Sequence, residues 1–168
     1  MKQAELQQLL TGFAADRLAL LQRHEAAARV VGHYDFNNTY QYVINREETH
    51  LSWLQNALAD FAAPLPHASA AIAVPAVAKS GKKVEPGAYR AILDDDASTL
   101  DAFVARWRPR VQQMTHARHR NMLDVILGES LEHKRLFAQA AAGFEDLLGR
   151  RTGGVPRQGG VLASRWME

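Results

Sequence analysis

The sequence contains no cysteine, and this absence removes several classes of site. Disulfide bonds, thiolate zinc sites and cysteine nucleophiles are excluded. A bound metal ion would have to use carboxylate, imidazole or water ligands, which favours iron, manganese or zinc.

Long apolar runs and strong net charge are also missing. No run approaches the roughly 18 residues of a membrane-spanning helix, and the N-terminal MKQAELQQLL is typical of an amphipathic helix, not of a signal peptide. We therefore expect a cytoplasmic protein without a membrane partner. The formal net charge of +2 is too small to indicate nucleic-acid binding.

Hydrophobic periodicity predicts an all-α fold of one domain, which the length of 168 residues accommodates. Residues 4–31 repeat apolar side chains every three or four residues and predict helix one. Residues 39–61 carry the clearest stripe and predict helix two, which Pro64 and Pro66 close.

Residues 63–95 have no strong period and are rich in Ala, Pro, Lys and Gly. We interpret them as a long connection, which is unusual in a compact domain. Its length is explained if it crosses the whole bundle, so that helices two and three run parallel.

The second half of the chain predicts two more helices. Helix three begins after the acidic run 94–96 with Ser98 as its cap, and Pro109 predicts a kink or a break. Helix four covers 118–148 and ends at Gly149. Residues 1–149 thus predict a four-helix bundle. Residues 150–168 predict a tail whose apolar side chains dock on the bundle or on a partner.

Acidic and histidine residues lie on the apolar faces of these helices. Such side chains are rarely buried without partners, so a metal site is one explanation. Glu25 in helix one is expected at the same height in the bundle as Glu47 and His50 in helix two, although His24 lies on the same apolar stripe as Glu25. The six candidate ligands are Glu25, Glu47, His50, Glu129, Glu132 and His133.

A simpler interpretation is that these carboxylates form ion pairs with nearby arginines. Arg46 and Arg135 are close enough in sequence to do so. We interpret His116 and His119, at the joint between helices three and four, as surface residues.

The six candidate ligands, with the segments REETH and GESLEHKRLF, resemble the ferritin-like, rubrerythrin-like superfamily over about residues 5–148. The resemblance implies a glutamate from each of two helices and a Glu-x-x-His pair from each of the other two, holding two iron or manganese ions. Two departures stand out. Helix three offers no glutamate at the matching height, Asp101 being the nearest acid, and helix four has Glu-x-x-Glu-His.

Three functions follow as hypotheses. The first is a metalloprotein with a dinuclear or mononuclear iron or manganese centre and oxidase- or peroxidase-like chemistry, a diiron oxidoreductase whose redox partner the sequence does not identify. The second is a metal-free bundle that acts as a binding or scaffold module, predicted to be a homodimer. The third is a mononuclear zinc or nickel site that uses His50, His116, His119 or His133.

Overall fold

The computed structural model describes residues 2–77 and 85–149, and these residues form an all-α structure without a β-strand. It contains four α-helices and a short 3₁₀-helix, Pro86–Tyr89. The α-helices are α1 (Gln3–Val30), α2 (Tyr34–Ala59), α3 (Arg90–Gln112) and α4 (Ala117–Ala141). None of these helices has the combination of length and apolar character that crossing a bilayer requires.

Helix α1 packs antiparallel to both α2 and α3. The carboxylate of Glu47 meets His24, while Asp16 and Arg23 pair with Trp107 and Asp96 in reverse order along α3. Two helices that are both antiparallel to α1 run parallel to each other. Consequently α2 and α3 are parallel, and the connection between them crosses the length of the bundle.

The connection lies along α1 on its way across the bundle. The backbone N–H of Ser69 donates to the carbonyl of Ala15 over 3.1 Å, and Arg23 donates to the carbonyl of Ala73. Its apolar side chains cover the core at Ala63, Leu65, Ile72, Val74 and Val77. A segment without helical periodicity is therefore held by a few specific contacts.

The predicted start of helix three is wrong, because α3 already begins at Arg90. Ile92, Leu93 and Asp96 are fully buried and continue the inward face that leads to Leu100. The acidic run therefore lies inside the helix, and the connection is shorter than the predicted 63–95.

The predicted start of helix two is also too late, since α2 begins at Tyr34. Phe36 is buried, and the Asn37 side chain donates to the carbonyls of Ala28 (2.8 Å) and Val31 (3.0 Å) at the end of α1. Asn37 lies between the two predicted helices, yet it satisfies open carbonyls of α1 while belonging to α2 itself.

Pro109 does not end α3, which continues to Gln112. Trp107 and Val111 are buried on either side of it. Pro109 removes one i→i−4 hydrogen bond, and the packing of Trp107 and Val111 holds the last turn in spite of this loss.

Helix α4 ends at Ala141 and not at the predicted residue 148. Gly143 has a φ of +88°, the N–H of Phe144 donates to the carbonyl of Gln139, and the N–H of Gly143 donates to that of Ala140. This pair of bonds is a Schellman motif, in which glycine provides the left-handed residue. The predicted tail, 150–168, lies outside the described residues.

Arg23→Met is expected to lower the free energy of unfolding by about 3–5 kcal/mol, because it leaves Asp96 buried without its guanidinium partner. Arg23 and Asp96 are both fully buried and 2.8 Å apart. Adding Asp96→Leu to this variant should recover part of the loss, and Arg29→Met, at an exposed position of α1, should change stability by no more than about 0.5 kcal/mol. Urea unfolding measures all three. An equal loss in the single and double variants would contradict the explanation.

Candidate functional site

The centre of the bundle holds the guanidinium of Arg17, whose side chain is completely buried. One terminal nitrogen donates to Ser130 Oγ over 3.1 Å, and the other lies 2.9 Å from His50 Nδ1. The second nitrogen is also 3.4 Å from Glu47 Oε1. Arg17 on α1 therefore contacts residues of α2 and α4, the two other helices that carry predicted ligands.

The contact with Arg17 fixes the tautomer of His50. A guanidinium only donates hydrogen bonds, so Nδ1 of His50 accepts. Nε2 then carries the proton and donates to Glu129 Oε2 over 2.9 Å. Burial and the charge of Arg17 lower the pKa of His50 to about 4, which keeps this ring neutral. Both of its nitrogens are occupied by protein partners.

Glu47 is fully buried, and its carboxylate accepts a hydrogen bond from His24 Nδ1, which lies 2.9 Å from each carboxylate oxygen. Burial alone would raise the pKa of Glu47, but the nearby His24 and Arg17 outweigh it and hold the pKa below its ordinary value. Glu47 is therefore a carboxylate that is compensated by two partners from α1.

Glu129 is half-buried at the edge of the cluster and forms a bidentate ion pair with Arg46, with N···O distances of 2.9 and 2.7 Å. The hydrogen bonds from Arg46 are the main reason that the pKa of Glu129 is lowered, against a smaller opposing effect of burial. Glu132 is exposed and pairs with Arg135. The interpretation that Arg46 and Arg135 serve these carboxylates is confirmed.

His133 lies beside this network. Its ring stacks at 6.3 Å from the ring of His50, and burial together with the charge of Arg17 lowers its pKa to about 3. Its Nδ1 atom is buried and has no hydrogen-bond partner among the described residues. This imidazole is therefore neutral and only partly satisfied.

A second buried network adjoins the first. Asp96 accepts hydrogen bonds from Arg23 and from the hydroxyl of Tyr40, and burial with the charge of Asp96 raises the pKa of that hydroxyl. His24 connects the two networks, because its Nε2 is 3.7 Å from Asp96 Oδ1 while its Nδ1 meets Glu47.

The structure brings together Glu47, His50, Glu129 and His133 of the six predicted ligands. Glu132 faces solvent, and Glu25 is half-buried while its neighbour His24 takes the inward position. The remaining residues of the cluster are ones that the ligand prediction did not include: Arg17, Arg23, His24, Asp96 and Ser130.

Three of these residues had a sequence signal. His24 lies on the apolar stripe of helix one. Ser130 lies three residues before His133 on the apolar stripe, the spacing of a Glu-x-x-His pair. Asp96 lies four residues before the buried Leu100. Asp101, the acid considered from the sequence, is exposed and pairs with Lys134. The position of a charged residue on an apolar face predicts that it is buried, but it does not indicate which residue is its partner.

The third hypothesis, a histidine-rich site drawn from several helices, does not match the geometry. His116 lies seventeen positions before His133 and His119 fourteen, so the nearer is about 21 Å away along α4. His119 is also buried, with 3 % exposure, so its interpretation as a surface residue is wrong. It packs on Phe61 at 6.1 Å at the end of the bundle.

The donors of the core fit a metal ion poorly. The charges of Arg17 and Glu47 cancel, and so do those of Arg23 and Asp96, all four of which are buried. A divalent ion would add two positive charges next to a guanidinium, at a high desolvation cost. In the part of the chain that the structure describes, no three His, Asp or Glu side chains of this cluster bring one donor atom each within 4.8 Å of one another.

Comparison with known proteins gives no relative: no protein-family model, no curated protein and no solved structure matches this chain.

The free energy of unfolding is expected to fall as the pH is lowered from 6.5 towards 4. His50 and His133 have folded-state pKa values of about 4 and 3 against 6.5, so the unfolded chain binds more protons over this range. Each histidine contributes a slope of up to about 1.4 kcal/mol per pH unit. Glu47 and Glu129 act in the same direction, but only near and below their ordinary pKa of 4.5.

Chemical denaturation between pH 4.5 and 7.5 measures this slope. His50→Gln should reduce the slope by the contribution of one histidine, up to about 1.4 kcal/mol per pH unit. His67→Gln, at an exposed position, should leave the slope unchanged. A slope that His50→Gln does not alter would contradict the neutral, buried state of this ring.

Proposed function

We propose that this chain is a ferritin-like bundle that works without a metal centre, as a binding or scaffold module. The observation that supports this most is the buried guanidinium of Arg17, which contacts Glu47, His50 and Ser130. It supplies the positive charge that metal ions would otherwise give to carboxylate and imidazole ligands.

The spacing of residues supports the same interpretation. Glu47 and His50 keep the Glu-x-x-His pattern, but the inward residue three positions before His133 is Ser130. On α1 the inward residue is His24 in place of Glu25. Relative to the ferritin-like pattern, two carboxylates are replaced by uncharged or basic groups, and a bundle with fewer buried negative charges needs fewer cations.

A groove between α1 and α3 offers a place for a ligand. It encloses about 570 Å³, within the usual range of small-molecule sites, and Arg106, Trp107 and Arg110 line it with Gln8 and Gln113. Both guanidiniums lie over the Trp107 ring, at 5.3 and 5.1 Å from its centre.

The two arginines of this groove favour an organic anion, such as a carboxylate or a phosphate ester, although the carboxylate of Glu5 also lines it. Arg106 is held by Asp16 at 2.9 Å. Arg110 lies over the Trp107 ring and forms no ion pair with a carboxylate among the described residues, so its charge is available to a ligand. The groove thus offers the guanidinium of Arg110, the guanidinium of Arg106 held by Asp16, and the side chains of Gln8, Gln113 and Glu5 around the indole of Trp107.

A metal-containing bundle is the second candidate, with a mononuclear iron or manganese centre and redox chemistry. Two observations favour it. His24 Nε2 and His133 Nδ1 are buried without hydrogen-bond partners among the described residues, and the lowered pKa of His133 leaves it neutral, as a ligand must be. Such a centre would require Arg17 to move away from Glu47.

Metal analysis separates the two candidates. Protein purified without an affinity tag, loaded anaerobically with ferrous iron or Mn²⁺ and then desalted, should retain no metal that depends on Glu47 or His50. Elemental mass spectrometry of the wild type, Glu47→Ala and His50→Ala measures this. One or two equivalents in the wild type that both variants lose would overturn the metal-free proposal.

Arg17→Ala provides a positive control for that experiment. It leaves Glu47 without its guanidinium, so the free energy of unfolding should fall by about 3–5 kcal/mol. In this variant added Mn²⁺ should raise the thermal midpoint more than in the wild type, because a cation can again compensate the carboxylate. Arg29→Ala, at an exposed position of the same helix, should show neither effect.

Binding in the groove is tested by calorimetric titration with citrate and with inorganic phosphate. Arg110→Ala should weaken binding about tenfold, the effect of losing one charge-assisted hydrogen bond. Arg108→Ala is the matched control, because Arg108 is exposed on the same helix but does not line the groove. Equal affinities of the two variants, or no binding to the wild type, would reject this groove as the anion site.

A further inference from the structure

Three metal-binding side chains converge at the end of the bundle where α1 turns into α2. His33 precedes the first residue of α2, Asp35 lies in its first turn, and Glu145 follows α4. One donor atom from each lies within 4.8 Å of the other two, and among residues 2–77 and 85–149 this is the only such group.

The geometry suits a small divalent ion. Transition-metal ions bind imidazole nitrogen and carboxylate oxygen at about 2.0–2.2 Å, which places neighbouring donors roughly 3–4 Å apart. His33 Nε2 and Glu145 Oε1 are 3.4 Å apart. One nitrogen and two carboxylates are donors that zinc and manganese both accept.

The surroundings position the ring and leave room for water. His33 packs against Phe36 with ring centres 4.2 Å apart, and its Nδ1 is buried without a hydrogen-bond partner among the described residues. The side chains of His33 and Glu145 are 21 % and 19 % exposed, so water can reach the remaining coordination positions. Packing against Phe36 thus holds the imidazole in place, while its Nδ1 makes no hydrogen bond among the described residues.

We propose that His33, Asp35 and Glu145 bind a divalent transition-metal ion, of the zinc or manganese class, which ties the α1–α2 turn to the segment after α4. Bound to the folded chain, the ion joins parts of the sequence more than 100 positions apart and stabilises the fold. The charge of the ion also offsets the repulsion between Asp35 and Glu145 near the positive end of α2.

This site is separate from the core cluster. Asp35 precedes Glu47 by twelve positions on α2, which corresponds to about 18 Å along the helix axis. Metal binding at His33 is therefore compatible with a metal-free core, and variants of the two regions distinguish them.

Titration of the full-length, tag-free chain with ZnCl₂ tests the proposal. Calorimetry should show one ion per chain, and the thermal midpoint should rise by several degrees at saturating Zn²⁺. His33→Gln and Glu145→Gln should each weaken binding at least about tenfold and remove the thermal shift. His67→Gln removes an exposed histidine elsewhere and should bind Zn²⁺ like the wild type.

Co²⁺ gives a spectroscopic readout that a merely structural effect of the substitutions would not produce. Visible d–d absorption should appear on adding Co²⁺ to the wild type and be absent in His33→Gln. If His33→Gln is misfolded by circular dichroism, Asp35→Asn replaces it. Absence of Zn²⁺ binding to the wild type, or binding that His50→Gln abolishes and His33→Gln does not, would overturn the proposal.

Discussion

The contact of the Arg17 guanidinium with Glu47 and His50 determines the chemistry of the bundle interior. Because a guanidinium cannot accept a hydrogen bond, it forces His50 to accept at Nδ1 and to donate at Nε2 to Glu129. Burial lowers the pKa of His50 and of His133 most, and the charge of Arg17 adds to this effect. Together with His24, Arg17 also keeps the pKa of Glu47 below its ordinary value. A cationic side chain on α1 therefore contributes to the protonation states of groups on α2 and α4. Removal of either partner of such a buried pair is strongly destabilising, because it leaves an uncompensated charge in the core. The polar centre therefore depends on both partners being present.

The second buried pair, Arg23 with Asp96, has a different consequence, because it joins three parts of the chain. Arg23 on α1 contacts Asp96 on α3 and the carbonyl of Ala73 in the connection. A long connection without helical periodicity loses much conformational freedom when it is ordered. Here the guanidinium that pairs α1 with α3 also holds the connection along α1. Topology and electrostatics are coupled in this way: the parallel arrangement of α2 and α3 needs the crossing segment, and a buried charge helps to hold it.

The sequence predicted the four helices, the long connection and the apolar faces, because these depend on local periodicity. Boundaries were less predictable where polar side chains act through tertiary contacts. Asn37 looked like part of a loop but caps α1, and Asp96 looked like a solvated helix start but is buried by Arg23. The buried polar cluster was predicted only in part, because it too depends on tertiary contacts. Periodicity placed Glu47, His50 and His133 inside, yet it could not show that Arg17 would reach them, since the length and flexibility of arginine allow many positions.

The distribution of donors within the fold gives a physical reason why the end of the bundle suits a metal ion better than its centre does. In the core, both nitrogens of His50 and both oxygens of Glu47 already have protein partners, so an ion would compete with hydrogen bonds that are protected from water. At the α1–α2 turn, His33 is held by packing and is open to solvent on one side. An ion that binds there does not have to displace the guanidinium of Arg17. The cost of desolvation therefore favours the partly exposed end of this bundle over its centre, although the centre has more imidazole and carboxylate groups.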